Sequence, residues 1–105
     1  MTESTTVTAP LIAALKRLWP HLKVQRLHSG KGRRQQQLCI PGTPDVLIVG
    51  DRGRVLWIET KTKSGRLNPA QRQMHDDLRA LGHEVRVAVL WREGVEHVRE
   101  WMEGR

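Results

Sequence analysis

The 105-residue sequence contains one cysteine, Cys39. A single thiol excludes an internal disulfide and any cysteine-based zinc cluster within one chain, and Cys39 reads as a small buried apolar residue. Long apolar runs are also missing. None approaches the length of a membrane span, and the amino terminus, MTESTTVTAP, is polar and lacks the pattern of a signal peptide. A soluble, cytoplasmic chain with no membrane partner is expected. The third shortage is of acid. Between Glu3 and Asp45 there is no Asp or Glu, while Lys16, Arg17, Lys23, Arg26, Lys31, Arg33 and Arg34 fall there beside His21 and His28. Most of the acids follow Asp51, and the formal net charge is +7. A one-sided basic field of this kind attracts polyanions, of which nucleic-acid backbones are the usual case. On composition alone, a basic domain with no such partner is the plainer alternative.

The length suits one domain over 1–105, with residues 1–7 as a frayed tail. Thr8 is placed to cap a helix with Pro10 in its first turn and Leu11, Ile12, Leu15, Leu18 and Trp19 on its apolar face; Pro20 stops it. A strand is expected at Val24 to Leu27 and another at Gln36 to Ile40, joined by the basic glycine-containing loop HSGKGRRQ. Val46 to Val49 and Val55 to Ile58 are almost wholly apolar, which predicts a sheet covered by helices on both faces. LNPAQRQ opens a helix, with Asn68 as cap, Pro69 in its first position and Gln71 at capping-box spacing; Gly82 ends it. Glu84 to Leu90 alternates as a strand, reached by a helical crossover and therefore parallel to the strand that ends near Glu59. Val95 to Met102 reads as a closing amphipathic helix, in which Trp101 and Met102 suit core or interface. The expected fold class is α/β, a mixed sheet flanked by helices.

The candidate site lies on the central hairpin. In PGTPDVLIVGDRGRVLWIETKTKSG, residues 41–65, the segment DRG suits a three-residue loop with Gly53 at its left-handed position. That register pairs Val49 with Val55, Leu47 with Trp57 and, at the open end, Asp45 with Glu59. Directly opposed residues have β-carbons about 5 Å apart on the same face, so the two carboxylates should stand side by side. Like charges there repel unless a cation stands between them. Lys61 falls on the Glu59 face by period two, while Thr60 points away. Two carboxylates also suit magnesium, an oxygen-seeking ion that favours phosphate as a co-ligand. For Glu-x-Lys alone, an ordinary salt-bridged strand end is the simpler reading. Pro44-Asp45, a matched hairpin and Glu59-x-Lys61 together favour a site.

At these residues the sequence resembles the PD-(D/E)xK nuclease superfamily and, more closely, its virus-type replication-repair (VRR-type) nuclease domains. GTPDVLIV, WIETKTKSGRLNPAQRQMHDDLRALGHEVRVAVL and the spacing between them carry the resemblance, over residues 40–90. It implies a restriction-endonuclease-like fold and metal-dependent hydrolysis of phosphodiesters. By the same resemblance Asp45, Glu59 and the backbone carbonyl of Thr60 hold Mg2+, with Mn2+ able to substitute. Lys61 is then the lysine that activates the attacking water or stabilises charge on the phosphate, and Gln71 a further catalytic-site residue. Small stand-alone members resemble Holliday-junction resolvases and tend to be homodimers, many from phages, so branched or four-way DNA is the implied substrate. In one respect the sequence departs from the superfamily. The first helix carries no acid, and Glu3 is the only upstream one. Either Glu3 folds inward, or the site uses fewer carboxylates.

Lys63 and Arg66, next along the chain, suit the gripping of backbone phosphates, with a solvated loop as the alternative. Lys31, Arg33 and Arg34 would extend a DNA track. No sequence-reading module is evident, so recognition of DNA shape is expected. The five histidines show no metal-ligand spacing, and a surface or half-buried place is expected for His75.

Overall fold

The computed structural model describes residues 3–27 and 40–104. The basic loop with Lys31, Arg33 and Arg34, Cys39 and most of the strand expected at 36–40 lie outside the described residues. Helix α1 is Ala9–Leu18, followed by β1 at Lys23–Arg26, β2 at Val46–Val49 and β3 at Val55–Thr60. Helix α2 at Pro69–Ala80, β4 at Glu84–Ala88 and helix α3 at Trp91–Met102 complete the order. The strands form one sheet in the order β1-β2-β3-β4, antiparallel at the first two pairings and parallel at the third.

The hairpin has the expected register: Val46 faces Ile58 and Val49 faces Val55. Its loop closes with the Gly50 N–H donating to the Arg54 carbonyl at 3.0 Å, and Gly53 is left-handed at φ +72°. Arg52 also has positive φ, at 60°, which a sequence pattern does not disclose. Strand β3 runs two residues further than its apolar stretch because β4 pairs with it beyond Ile58, Glu59 opposite Val87 and Thr60 opposite Ala88.

Helices cover both faces, but unequally. On one face α1 and α3 close a core of Leu11, Leu15, Val46, Ile48, Leu56, Ile58, Val98 and Trp101, so Trp101 is a core residue. The other face holds Glu59, Trp57, Val55 and Leu47, and α2 contributes only His75 as a fully buried residue there. Leu47, Val55 and Trp57 stay half-buried in consequence, and Val49 is exposed.

Two expectations about helix ends need correction. Residues 1–7 are not all a frayed tail: a turn of π-helix at Ser4–Thr8 leads directly into α1, and Val7 is buried. Thr8 therefore has helical backbone angles and makes no cap. Its hydroxyl lies 2.7 Å from that of Thr60 in the interior. Helix α3 begins at Trp91, well before Val95, which also shortens β4. Gly94 masks that start in the sequence because glycine disfavours helix interiors. It is needed for packing: a β-carbon there would meet the Leu11 side chain at 2.8 Å, so glycine lets α1 and α3 approach.

The segment carrying Asp45 is set by two backbone contacts. Leu27 N–H donates to the Asp45 carbonyl at 2.7 Å, extending the β1–β2 ladder to the edge of the site. Gly42, at φ +95°, lies so close to the start of α2 that a β-carbon would sit 2.4 Å from the Ala70 carbonyl oxygen. Gly42→Ala thus combines left-handed strain with a clash against backbone that cannot swing away. It is expected to cost about 2–4 kcal/mol, read as a lower urea midpoint with an unchanged m-value.

Candidate active site

Asp45 precedes β2, Glu59 lies near the end of β3, and the hairpin register brings them together across the strand pair. Glu59 is completely buried and Asp45 is partly so. The Asp45 Oδ2 accepts hydrogen bonds from the Thr60 backbone N–H at 3.1 Å and the Thr60 hydroxyl at 2.9 Å. Thr60 spends its only hydroxyl proton there, so the proton in the 2.7 Å contact between Thr8 and Thr60 comes from Thr8. Thr60 does point its side chain to the α1 face, as period two requires, yet both its hydroxyl and its amide serve Asp45. No spacing in the sequence announces this Thr8–Thr60–Asp45 relay.

Helix α2 supplies the opposite flank. Asn68 and Gln71 form a reciprocal capping box, with both hydrogen bonds at 2.9 Å. The Gln71 amide then donates from Nε2 to Glu59 Oε2 at 3.4 Å, so its capping and site roles coexist. One turn later His75 places Nε2 3.1 Å from Glu59 Oε1. His75 is buried, contrary to the expected surface or half-buried place. The available signal was helical phase, since His75 lies a turn beyond Gln71 and faces the same way.

The charges interact as one group. The Glu59 carboxyl is pushed up from 4.5 to about 9, first by burial, then by the Asp45 charge and a hydrogen bond to Asp45; the Lys61 ammonium opposes the shift. Glu3 folds inward. Its carboxyl is raised by burial and by Asp45, and lowered by Lys61 and Arg26, which puts the one upstream acid within the field of the site. The His75 imidazole is held below its usual range, chiefly by burial and then by Arg79. Lys61 is half-buried, and its backbone N–H donates to the Ala88 carbonyl at 2.9 Å.

Lys63 and Arg66 are exposed on the loop between β3 and α2. Because β3 stops at Thr60, and a turn closes with Gly65 N–H donating to the Thr62 carbonyl at 2.9 Å, Lys63 does not continue the Glu59 face in strand phase. His83 and His97 have structural partners: the Trp57 indole donates to His83 Nδ1 at 3.0 Å, and His97 Nε2 lies 2.9 Å from the Val87 carbonyl. Among the described residues no three His, Cys, Asp or Glu side chains converge tightly enough to hold a metal ion by themselves. The residues present nevertheless fit a hard divalent cation completed by water and phosphate. Their donors are oxygens, and the buried acidic pair needs either a proton or a cation to relieve its repulsion.

In the metal-free protein the proton has a measurable consequence. Between pH 6.5 and 9 the folded chain keeps a proton on Glu59 that the unfolded chain has lost, so it binds more protons and stability falls as pH rises. His75 is neutral in both states over most of that window and does not offset the effect. With chelator present, unfolding free energy should drop by up to about 1.4 kcal/mol per pH unit. Glu59→Gln, which has no proton to lose, should remove that slope in denaturant titrations.

A family model for the VRR-NUC domain matches residues 14–90. A solved structure described as a VRR_NUC domain superposes with a TM-score of 0.66 at 22% identity, covering 96% of this chain and 99% of the other. No curated protein matches the chain. The shared fold comes from that superposition, while the family model spans most of the sequence, including Asp45, Glu59, Lys61 and Gln71. The chain belongs to the VRR-NUC nuclease-domain family.

Proposed function

We propose that the chain is a metal-dependent, structure-selective DNA endonuclease resembling a Holliday-junction resolvase. The observation that carries this reading is the Asp45–Glu59 pair, opposed on one hairpin with Glu59 fully buried and the Lys61 charge opposing the rise of the Glu59 carboxyl. In this reading Asp45, Glu59 and the Thr60 carbonyl hold Mg2+, or Mn2+ in its place, with Glu3 available from the amino-terminal turn. When bound, such an ion neutralises phosphate charge and makes its water a stronger nucleophile.

The chain's own residues have distinct tasks. Thr8 and Thr60 orient Asp45, and Gln71 fixes Glu59. Lys61 faces the reacting phosphate, either taking a proton from water or stabilising charge there. Lys63 and Arg66, free to extend from their loop, hold flanking phosphates, and Lys31, Arg33 and Arg34 lengthen the basic track. A homodimer would present two such sites to a four-way junction. A nuclease-like fold that binds DNA without turnover is the alternative, since the first helix carries no acid. Glu3, half-buried and within the field of Asp45 and Lys61, weighs against it.

The test is cleavage of labelled four-way junction, flap, duplex and single-stranded DNA with Mg2+, with Mn2+ and with chelator. Junction cutting that needs metal is expected, with Asp45→Asn and Lys61→Ala each lowering the rate by at least about 100-fold while junction binding survives. Tight binding without cutting under either metal would reject the enzyme reading. Cutting of flaps or duplex but not junctions would reject only the substrate.

A further inference from the structure

Glu59 is held from one side by two side chains of α2. Gln71 Nε2 reaches Oε2 at 3.4 Å and His75 Nε2 reaches Oε1 at 3.1 Å, one helical turn apart on the same face. Both contacts end on a carboxylate with no solvent exposure, so water has no access to replace either one. The capping box fixes Gln71 at the start of the helix. The Arg79 guanidinium donates to the Val85 carbonyl at 2.9 Å and ties the far end of α2 to β4. The helix is thus pinned at both ends of the segment that touches Glu59.

The imidazole has one distinguishing feature. Its Nδ1 is buried with no hydrogen-bond partner among the described residues. A neutral imidazole carries its proton on one nitrogen only. On Nδ1 that proton would be a buried donor without an acceptor, the costlier arrangement, whereas on Nε2 it points at Glu59 Oε1. The orphaned atom therefore assigns the tautomer: Nε2–H donates, and the bare Nδ1 lone pair faces away from the carboxylate. A histidine so arranged does not compete with Glu59 for a cation. It orients the oxygen that would bind one.

We infer that His75 is a positioning residue, which together with Gln71 clamps the Glu59 carboxylate in the rotamer that receives the divalent cation. The inference rests on the proposed metal-dependent reading of the site and adds to it a residue outside the Asp…Glu-x-Lys pattern. Partners of this kind commonly contribute strongly to metal affinity although they never touch the ion.

Two substitutions of similar polarity separate positioning from packing. In His75→Gln the amide nitrogen falls where Nε2 stood and can still donate to Glu59. In His75→Asn the amide ends at the depth of Nδ1 and falls short. Mn2+ affinity of the full chain is read from the electron paramagnetic resonance signal of free Mn2+, with wild type and Glu59→Gln alongside and thermal melts for every variant. His75→Asn should bind Mn2+ about 10–100-fold more weakly, with His75→Gln close to wild type. Wild-type affinity in both His75 variants, with binding lost in Glu59→Gln, would overturn the clamp and leave the metal site standing. Equal losses in the two variants, tracking their melting temperatures, would mark His75 as a packing residue and also overturn it. Failure of wild type itself to bind Mn2+, or unchanged binding in Glu59→Gln, would overturn the clamp and the metal reading together.

Discussion

Two carboxylates directly opposed on neighbouring strands, one of them fully buried, are a liability that a sheet does not normally accept. In this chain Asp45 and Glu59 occupy such positions, and much of the surrounding structure acts on them. The hairpin loop sets the register that opposes them. Leu27 anchors the backbone of Asp45, and the close approach of Gly42 to Ala70 joins the Asp45 segment to the helix that serves Glu59. Without charge compensation the pair retains a proton. In the proposed reading a divalent cation would relieve the same repulsion.

The two acids are supported from opposite faces of the sheet. Thr8 and Thr60 deliver hydrogen bonds from the α1 side, and Asp45 receives two donors from Thr60. Gln71 and His75 approach from α2 and engage both oxygens of Glu59. A chain of contacts from Thr8 through Thr60, Asp45 and Glu59 to His75 therefore crosses the sheet at the end of β3. Burial makes such a network rigid, because each polar group has few alternatives to its present partner. That rigidity suits a site that must hold two oxygens at a fixed separation. The exposed Lys63 and Arg66, by contrast, lie on the loop between β3 and α2, outside this network.

Local patterns in the sequence disclosed what depends on local rules. Period-two alternation, the DRG loop and the LNPAQ capping box were enough for the hairpin register, the pairing of Asp45 with Glu59, the parallel β4 and the start of α2. Contacts that depend on tertiary packing were not legible. Thr8 looked like a helix cap because it precedes Pro10, but the preceding turn is itself helical and frees its hydroxyl for Thr60. Gly94 looked like a reason to begin α3 late, whereas its missing side chain makes room for Leu11. His75 looked like a surface residue on a largely polar helix. Only the placement of α2 over Glu59 shows that it points inward. No local pattern discloses the place of Glu3, which the structure leaves half-buried within the field of Asp45 and Lys61.

In the proposed reading a cation and a proton compete for the Asp45–Glu59 pair. Calorimetric titration of the full chain with Mn2+ near pH 7, repeated in buffers of different ionisation enthalpy, counts the protons released as the metal binds. Release of about one proton per ion, abolished in Glu59→Gln, is the expected result. Binding with no proton release, or release that persists in Glu59→Gln, would contradict the account.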